Sequence, residues 1–145
     1  MTAAAHTLTR DALEAQLQAF VDIGADASPW REAHLRVELP EKWRLSIYVG
    51  DDRPVGYAVM SLRGPGWIHL HQFMVAKAHR GRGLGSLMLA EAKSRCAREG
   101  ARLSLKVAIG NPQVTRFYVR EGMREGHVEG GYLWMYWPDL PEARP

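Results

Sequence analysis

The sequence is poor in cysteine and in long apolar runs. Its single cysteine, Cys96, excludes an internal disulfide framework and any zinc site built on paired cysteines. No stretch approaches the roughly 18 apolar residues that a membrane-spanning helix needs. Residues 1–14 carry acidic residues early and no long apolar run, unlike a secretory signal. We therefore expect a cytoplasmic protein in a reducing compartment, with no membrane partner.

A strong charge of either sign is also lacking. The formal net charge is +3 and the basic residues are spread along the chain, so the composition indicates an anionic ligand only weakly. Helix-turn-helix, zinc-finger and RNA-recognition signatures are absent, which argues against nucleic acid as a partner. The 145 residues, 46% of them hydrophobic and without internal repeats or a linker, fit a single domain spanning residues 1–145.

Hydrophobic spacing and turn residues predict an α/β (α+β) chain with the order helix, helix, three strands, helix, strand, helix and two strands. The first helix is expected to begin after an N-cap at Thr9 and to end at Gly24. The other expected elements are a helix at 30–39, strands at 44–49, 55–62 and 67–75, a helix ending near 99, a strand at 103–109, a helix at 111–121, and strands at 123–128 and 132–137.

Residues 79–86, His-Arg-Gly-Arg-Gly-Leu-Gly-Ser, form a basic, glycine-rich turn in front of a helix. The first four N–H groups of a helix lack internal partners and the helix dipole adds partial positive charge there, so this end stabilises an anion. Glycines at 81, 83 and 85 remove the Cβ atoms that would keep a phosphate from the backbone, and Arg80 and Arg82 add positive charge. The turn therefore predicts a phosphate site. A tight strand-to-helix connection without a ligand is the alternative.

Two common phosphate motifs are missing from this turn. A P-loop needs Lys and then Ser or Thr after its last glycine, but Gly85 is followed by Ser86 and Leu87. A dinucleotide fingerprint needs a glycine where this chain has Ser86 or Met88. The usual ATP cradle and the usual dinucleotide cradle are therefore excluded.

Two segments together resemble the motifs of one enzyme family. Residues 80–85, Arg-Gly-Arg-Gly-Leu-Gly, resemble the Arg/Gln-x-x-Gly-x-Gly/Ala motif of the GNAT superfamily of acyl-CoA-dependent N-acetyltransferases. Residues 111–123 resemble that family's Asn-x-x-Ala-x-x-x-Tyr-x-x-x-Gly-Phe pattern, with Val114 in place of alanine and Met123 in place of phenylalanine. The resemblance covers residues 44–137, and the expected order of strands and helices agrees with it.

The resemblance implies the GNAT fold: a central mixed, mostly antiparallel, twisted sheet of about six or seven strands, flanked by about four helices and splayed between its two central strands. The N-terminus lacks the clear apolar opening strand of that fold. This strand is therefore expected to be either very short or missing.

The resemblance also implies acetyl-CoA as the acyl-donor cosubstrate, without a metal. Backbone amides of the glycine turn would hold the CoA pyrophosphate, the strand before it would pair with the pantetheine arm, and Asn111 would contact that arm from the other side. The implied CoA-binding residues are Phe73, Met74, Val75, Arg80, Gly81, Arg82, Gly83, Leu84, Gly85, Ser86, Asn111 and Tyr118.

Acetyl transfer to an amine needs a proton acceptor, because alkyl amines are mostly protonated at pH 7. The strand before the turn reads Ile-His-Leu-His-Gln at 68–72 and has no carboxylate where many family members carry a glutamate. His69 and His71, on one strand face, are the expected catalytic substitutes, and His69 is preferred because its position matches that glutamate. Packing beside Trp67 and Phe73 is the alternative for each histidine. A metal site on the pair lacks a third ligand at a suitable spacing.

Tyr118 matches the family's general acid, which would protonate the departing CoA thiolate. A core tyrosine beside Phe117 is the alternative. A backbone N–H near Val75 would polarise the thioester carbonyl. Cys96 lies on the apolar stripe of the helix after the turn, which favours packing over an acyl-cysteine intermediate.

The sequence says least about which residues would bind the amine acceptor. Tyr132, Trp134 and Tyr136 share a strand face and could wall the acceptor cavity, pack in the core or form a homodimer interface. Glu32 and Glu38 could attract a cationic acceptor or be solvated surface acids. The sequence predicts an N-acetyltransferase that moves acetyl from acetyl-CoA to a primary amine of a small molecule or peptide, by direct attack in a ternary complex. A catalytically weak CoA-binding regulatory module of the same fold is the alternative.

Overall fold

A computed structural model of the chain describes residues 4–25 and 32–138, which form seven strands and six α-helices. The strands are β1 (Ala5–Thr7), β2 (Ile47–Val49), β3 (Gly56–Leu62), β4 (Trp67–Val75), β5 (Arg102–Ala108), β6 (Arg124–Glu129) and β7 (Tyr132–Trp137). The α-helices are α1 (Arg10–Ala15), α2 (Leu17–Ile23), α3 (Glu32–Arg36), α4 (Lys42–Leu45), α5 (Leu84–Arg98) and α6 (Pro112–Arg120), and a 3-10 helix at Lys77–His79 precedes α5.

The seven strands make one mixed sheet in the order β1-β2-β3-β4-β5-β7-β6. Every neighbouring pair is antiparallel except β4 and β5, which run parallel because α5 crosses over between them. The mixed, mostly antiparallel sheet expected from the sequence is therefore confirmed.

The sheet splays open between β4 and β5. These strands pair only where Trp67–His69 lies beside Arg102–Ser104, and the rest of each strand runs on without a ladder to the other. A parallel pair that ends this early leaves a wedge-shaped opening in the middle of the sheet. The predicted splay between the two central strands is confirmed.

A β-bulge in β4 adjoins the point where the strands part. Val59 of β3 pairs with Gln72 and Met60 pairs with Leu70, so His71 is an extra residue without a partner in the ladder. A bulge adds local twist and redirects side chains. In this strand it brings His71 and Gln72 away from the core that α5 covers, while Leu70 remains within that core.

The core has two parts, one on each face of the sheet. The larger part lies under α5, whose residues Met88, Leu89, Ala92 and Cys96 are completely buried at helical spacing. The smaller part packs α1, α2 and α3 on the other face. Cys96 is a packing residue, as the sequence indicates.

The N-terminal region agrees with the expectation in two ways and differs from it in one. A short opening strand is present, since β1 pairs antiparallel with β2. The Thr9 cap is confirmed, because its hydroxyl accepts from the Ala12 N–H at 3.0 Å. The single helix expected up to Gly24 is instead divided at Gln16, whose backbone leaves the helical region at φ −139° and ψ 41°. The division separates the buried face of α1 from that of α2.

The segment before β2 was also predicted incorrectly. Within the described residues, α3 ends at Arg36, short of the predicted end at 39; positions 30 and 31 lie outside them. Residues 44 and 45, expected to begin a strand, belong to α4. The physical reason is Lys42, which is 1% exposed and donates to the carbonyls of Leu35 and Val37, both at 2.5 Å. A buried ammonium that joins α4 to the end of α3 leaves no periodic signal in the sequence.

Candidate active site

The glycine turn presents an open helix N-terminus. Gly81 (φ 78°) and Gly83 (φ 81°) are both in the left-handed region, and Gly83 is the N-cap of α5. Apart from the glycine and its immediate chain neighbours, no heavy atom of the described residues lies within 4 Å of the position that a Cβ would take at Gly81 or Gly83. The first bond of α5 runs from the Leu87 N–H to the Gly83 carbonyl at 3.0 Å. The N–H groups ahead of Leu87 are therefore available to an anion.

Gly85 lies at a close contact between α5 and two aromatic rings. A Cβ at this position would stand 3.3 Å from the Phe117 ring and 3.8 Å from the Phe73 ring. The missing side chain lets α5 approach α6 closely.

A cavity of about 300 Å³, here named the glycine-turn cavity, lies at this helix end. It is lined by the backbone of the turn and by the cationic side chains of Arg80 and Arg120. Arg120, in the last turn of α6, was missed at the sequence level, since only the docking of α6 on α5 brings it here. Arg82, although expected at the site, is outside the lining of this cavity, and the Ser86 hydroxyl donates to the Glu121 carboxylate at 2.8 Å.

A larger cavity of about 610 Å³, here named the splay cavity, fills the wedge between β4 and β5. Seven of the sequence-predicted residues lie together on its wall: His71, Phe73, Met74, Val75, Arg80, Asn111 and Tyr118. Phe73, Val75 and Arg80 also line the glycine-turn cavity, so the two cavities adjoin. Together they form one elongated groove that runs from the helix end to the bulge.

Backbone donors of β4 face this groove. The Ala76 N–H donates to the Val55 carbonyl at 2.7 Å, toward β3. Since successive N–H groups of a strand point to opposite sides, the Val75 N–H points toward the open wedge. The Val75 carbonyl, on the same side, accepts from Arg80 Nε at 2.9 Å, which fixes the strand end beside the turn.

Tyr118 lies deep in the splay cavity. Only 7% of the residue is exposed, and its ring centroid lies 5.9 Å from that of Phe73 and 5.2 Å from that of Phe117. Burial raises the pKa of Tyr118 above its usual value near 10, so the phenol keeps its proton at neutral pH. The side chain is therefore a protonated phenol that borders the groove.

The two histidines stand together at the bulge. Their ring centroids are 4.8 Å apart; His69 Nδ1 lies 2.8 Å from Ser104 Oγ, and His71 Nε2 lies 2.7 Å from Ser61 Oγ. Burial, followed by nearby positive charge, lowers the pKa of His69 to about 3 and that of His71 to about 4. Both rings are therefore neutral at pH 7, with one nitrogen of each held by a serine.

A third cavity, of about 370 Å³, opens on the other side of the bulge and is here named the lateral cavity. His71 lines both the lateral and the splay cavities, whereas His69, 2% exposed, borders only the lateral one. Leu70, Gln72 and Lys106 also line both cavities. The two spaces therefore meet at His71, which is better placed than His69 to touch groups in both.

The expected acceptor residues divide between cavity and core. Tyr132 lines the lateral cavity, and Trp134 lies against His69 with 5.4 Å between ring centroids. Tyr136 is buried and contacts Trp67 at 5.4 Å. Glu32 and Glu38 lie outside the lining of the lateral cavity; Glu32 pairs with Arg36, and Glu38 with Arg10. The two acids that the sequence offered for a cationic acceptor are therefore engaged elsewhere.

Metal and membrane features are not found in residues 4–25 and 32–138. This part of the chain has no cluster of three or more His, Cys, Asp or Glu side chains placed to hold a metal ion. None of its helices combines the length and apolar character that a bilayer crossing needs.

Solved structures share this architecture at low sequence identity. The ribosomal-protein-S18-alanine N-acetyltransferase from Escherichia coli is 18% identical, with a TM-score of 0.79 and coverage of 99% of both chains. The PaiA N-acetyltransferase from Thermoplasma acidophilum, in complex with coenzyme A, is 15% identical, with a TM-score of 0.71 and coverage of 94% of this chain and 98% of that chain. A chain of the NatC complex bound to Gag peptide and CoA is 19% identical, with a TM-score of 0.73 and coverage of 94% and 97%.

At the sequence level, no curated protein matches the chain. The family model described as "Acetyltransferase (GNAT) family" matches residues 9–123. That range contains β4, the glycine turn, α5, β5 and α6, which together build the groove and carry both sequence motifs. The chain therefore belongs to the GNAT acetyltransferase family.

Proposed function

We propose that the protein transfers an acetyl group from acetyl-CoA to the primary amine of a small molecule or peptide, by direct attack within a ternary complex. The observation that carries this proposal is the continuous groove from the N-terminus of α5 to His71, with Tyr118 on its wall. Two of the similar structures contain CoA and one also holds a peptide, which supports both ligand classes.

The glycine turn would hold the CoA pyrophosphate. The free N–H groups at the start of α5 and the cations Arg80 and Arg120 all border the glycine-turn cavity. A doubly charged phosphate group suits this arrangement of dipole and positive charge. The pantetheine arm would then follow the open edge of β4, where the Val75 N–H faces the wedge, with Asn111 on the opposite wall.

Tyr118 would act as the general acid. The amine nitrogen forms a bond to the thioester carbon, and the carbon–sulfur bond breaks with its electron pair on sulfur. Thiols have a pKa near 8.5, so the leaving sulfur benefits from a proton donor at its side. Tyr118, protonated and buried in the splay cavity, meets that need. The Val75 N–H would stabilise the negative charge that develops on the carbonyl oxygen.

His71 would receive the amine's proton, directly or through water. It lines both the splay cavity and the lateral cavity, and it is neutral at pH 7. Because its pKa is lowered to about 4, His71 is a weak base at neutral pH and would pass the proton on to solvent rather than hold it. His69, held by Ser104 and more deeply buried, would orient the His71 ring.

Two further expectations complete this proposal. We place the protein in the cytoplasm as one domain over residues 1–145, in keeping with a single cysteine that is buried and unpaired. A homodimer stays a prediction.

A thiol-release assay tests the proposal. Purified protein is incubated with acetyl-CoA and a panel of amines, and the free CoA thiol is measured together with acetylated product by mass spectrometry. We expect release that needs the acceptor and falls in the Tyr118→Phe variant. If the protein binds CoA but no acceptor stimulates release, the alternative of a regulatory module, favoured by the missing carboxylate on β4, replaces the enzyme. If it binds no CoA, both are wrong.

A further inference from the structure

The lateral cavity is lined by cations and by no carboxylate among the described residues. Arg63, directly after β3, and Lys106, on β5, both line it, and both side chains are exposed to solvent. Glu129, a nearby acid opposite Tyr132 in the sheet, is 71% exposed and lies 3.6 Å from His127. The space beside the histidine pair is therefore positively charged.

Both cations lie over the same aromatic ring. The Arg63 guanidinium is 5.3 Å from the Trp134 ring centroid, and Lys106 Nζ is 5.9 Å from that centroid and 4.5 Å from the Tyr132 ring. Cation–π contact holds each charge in place, but two like charges at one ring repel each other. Within the part of the chain that the structure describes, neither is in an ion pair. An anion between them would relieve that repulsion.

Several other arginines among the described residues are paired with acidic side chains. Arg36, Arg44 and Arg95 each lie within 2.9 Å of a glutamate oxygen. At the lateral cavity, where the proposed function places the acceptor, two cations lack such an acidic partner among the described residues. This distribution is what a site for an anionic group needs.

The positive lining also acts against cationic acceptors. Positive charge on Arg63 and Lys106 is one cause of the low pKa of both histidines. The same field would oppose binding of a second ammonium group, as a polyamine carries. No described carboxylate in the lateral cavity offsets that field.

We propose that the acceptor is an amine that also carries an anionic group, a carboxylate or a phosphate, which Arg63 and Lys106 bind in the lateral cavity. This rests on the proposed function, because the acetyl transfer places the amine itself at His71. The His69 ring separates the two positions, 5.4 Å from the Trp134 ring and 4.8 Å from the His71 ring. The anionic group and the reacting nitrogen are therefore separated by about the width of one side chain. A small amino acid, a phosphorylated amino alcohol or a peptide with an acidic residue close to its N-terminus has this spacing.

Charge-matched pairs of acceptors test this proposal. The first pair is β-alanine and β-alaninamide, the second is phosphoethanolamine and ethanolamine, and the third is a tripeptide amide with aspartate or asparagine at its second position. Putrescine serves as the doubly cationic amine. The carboxylate and phosphate pairs distinguish the two sources of negative charge, and the peptides distinguish a small-molecule acceptor from a peptide.

Three variants are compared with the wild type. Arg63→Gln and Lys106→Gln each remove one cation of the cavity. Arg53→Gln is the matched control, since it removes the same charge from a side chain that is 65% exposed and pairs with Asp22 away from the cavities. Melting temperatures confirm that each variant is folded. Steady-state thiol release gives kcat and KM, and calorimetry gives acceptor binding to the CoA-loaded protein.

In at least one pair, we expect the anionic member to have a kcat/KM about tenfold or more above its neutral partner, as a charge-assisted contact supplies. Arg63→Gln and Lys106→Gln should each raise KM for that acceptor about tenfold with kcat nearly unchanged, while Arg53→Gln and the neutral partner show no change. If neutral amines or putrescine react as well as the anionic members, or if the cavity variants do not alter the preference, the inference is overturned and the acetyltransferase stands. If no acceptor is acetylated but anionic amines still bind through Arg63 and Lys106, the proposed function fails and the anionic site stands. If no amine reacts or binds, both are overturned.

Discussion

The Gly83→Ala variant distinguishes a phosphate-binding turn from an ordinary tight turn. Gly83 has φ 81° and open space around the position of its missing Cβ. Alanine there takes a left-handed backbone conformation that costs roughly 1–2 kcal/mol of stability. For a chain of this size, that loss lowers the melting temperature by about 3–8 °C. A strand-to-helix connection without a ligand would show this effect and nothing more.

A phosphate cradle adds a second effect. The added methyl would occupy the space in front of the α5 N–H groups, where the pyrophosphate is expected. Losing one or two charge-assisted hydrogen bonds weakens CoA binding by at least about tenfold. Isothermal titration of CoA into wild type and Gly83→Ala measures this change directly.

Gly64 provides a closely matched control. It has the same φ of 81° and the same open surroundings, but it lies in the turn between β3 and β4, away from the glycine-turn cavity. Gly64→Ala should lose the same stability and keep full CoA affinity. If Gly83→Ala binds CoA as tightly as the wild type, the turn does not hold the pyrophosphate. If both variants lose affinity equally, the effect is one of stability, and the reasoning is refuted.

Three other predictions follow from the burial of titratable groups. Tyr118→Phe should lower kcat about 10²-fold or more while leaving CoA affinity unchanged, measured by thiol release and calorimetry. In the unfolded chain His69 and His71 titrate near 6.5, but in the folded protein near 3 and 4, so the unfolded state binds more protons between about pH 4 and 6.5. Stability should therefore be full above pH 6.5 and fall by about 1.4 kcal/mol per pH unit per histidine as the pH drops through that window, measured by denaturant unfolding. Burial raises the pKa of Cys96 to about 12, so the native thiol should resist iodoacetamide and Cys96→Ala should remain active.

Each of these has a clear contrary result. An unchanged kcat in Tyr118→Phe would show that Tyr118 is not the general acid. The free energy of unfolding could stay constant between pH 7 and pH 5, or it could fall as steeply in His69→Gln and His71→Gln as in the wild type. Either result would show that the histidines are not buried in their neutral form. Rapid alkylation of Cys96 in folded protein, or inactive Cys96→Ala with a normal melting temperature, would reopen an acyl-cysteine route.

The groove could be found from the sequence because its parts lie close together along the chain. The glycines at 81, 83 and 85 and the helix that follows are contiguous, and the physics of a helix N-terminus applies to them without tertiary information. Tyr118 and Asn111 were identified through a family pattern, and the structure brings both onto the splay cavity. Local chemistry and a shared motif were sufficient for this half of the site.

The acceptor side could not be found in the same way, because its residues meet only through the sheet. Arg63 follows β3 and Lys106 lies in β5, and nothing in their local sequence links either to Trp134. The bulge at His71 depends on the register between β3 and β4, which alternation in β4 alone does not reveal. The buried Lys42, which determines the course of the chain before β2, is a tertiary exception to the usual exposure of lysine.

Calorimetric titration of CoA into the wild-type protein tests the central claim most directly, because every later step depends on the groove holding that molecule. We expect saturable binding at one site per chain, with an affinity that falls as salt screens the positively charged helix end. Absence of any binding heat over a range of temperatures, with the protein folded, would contradict it.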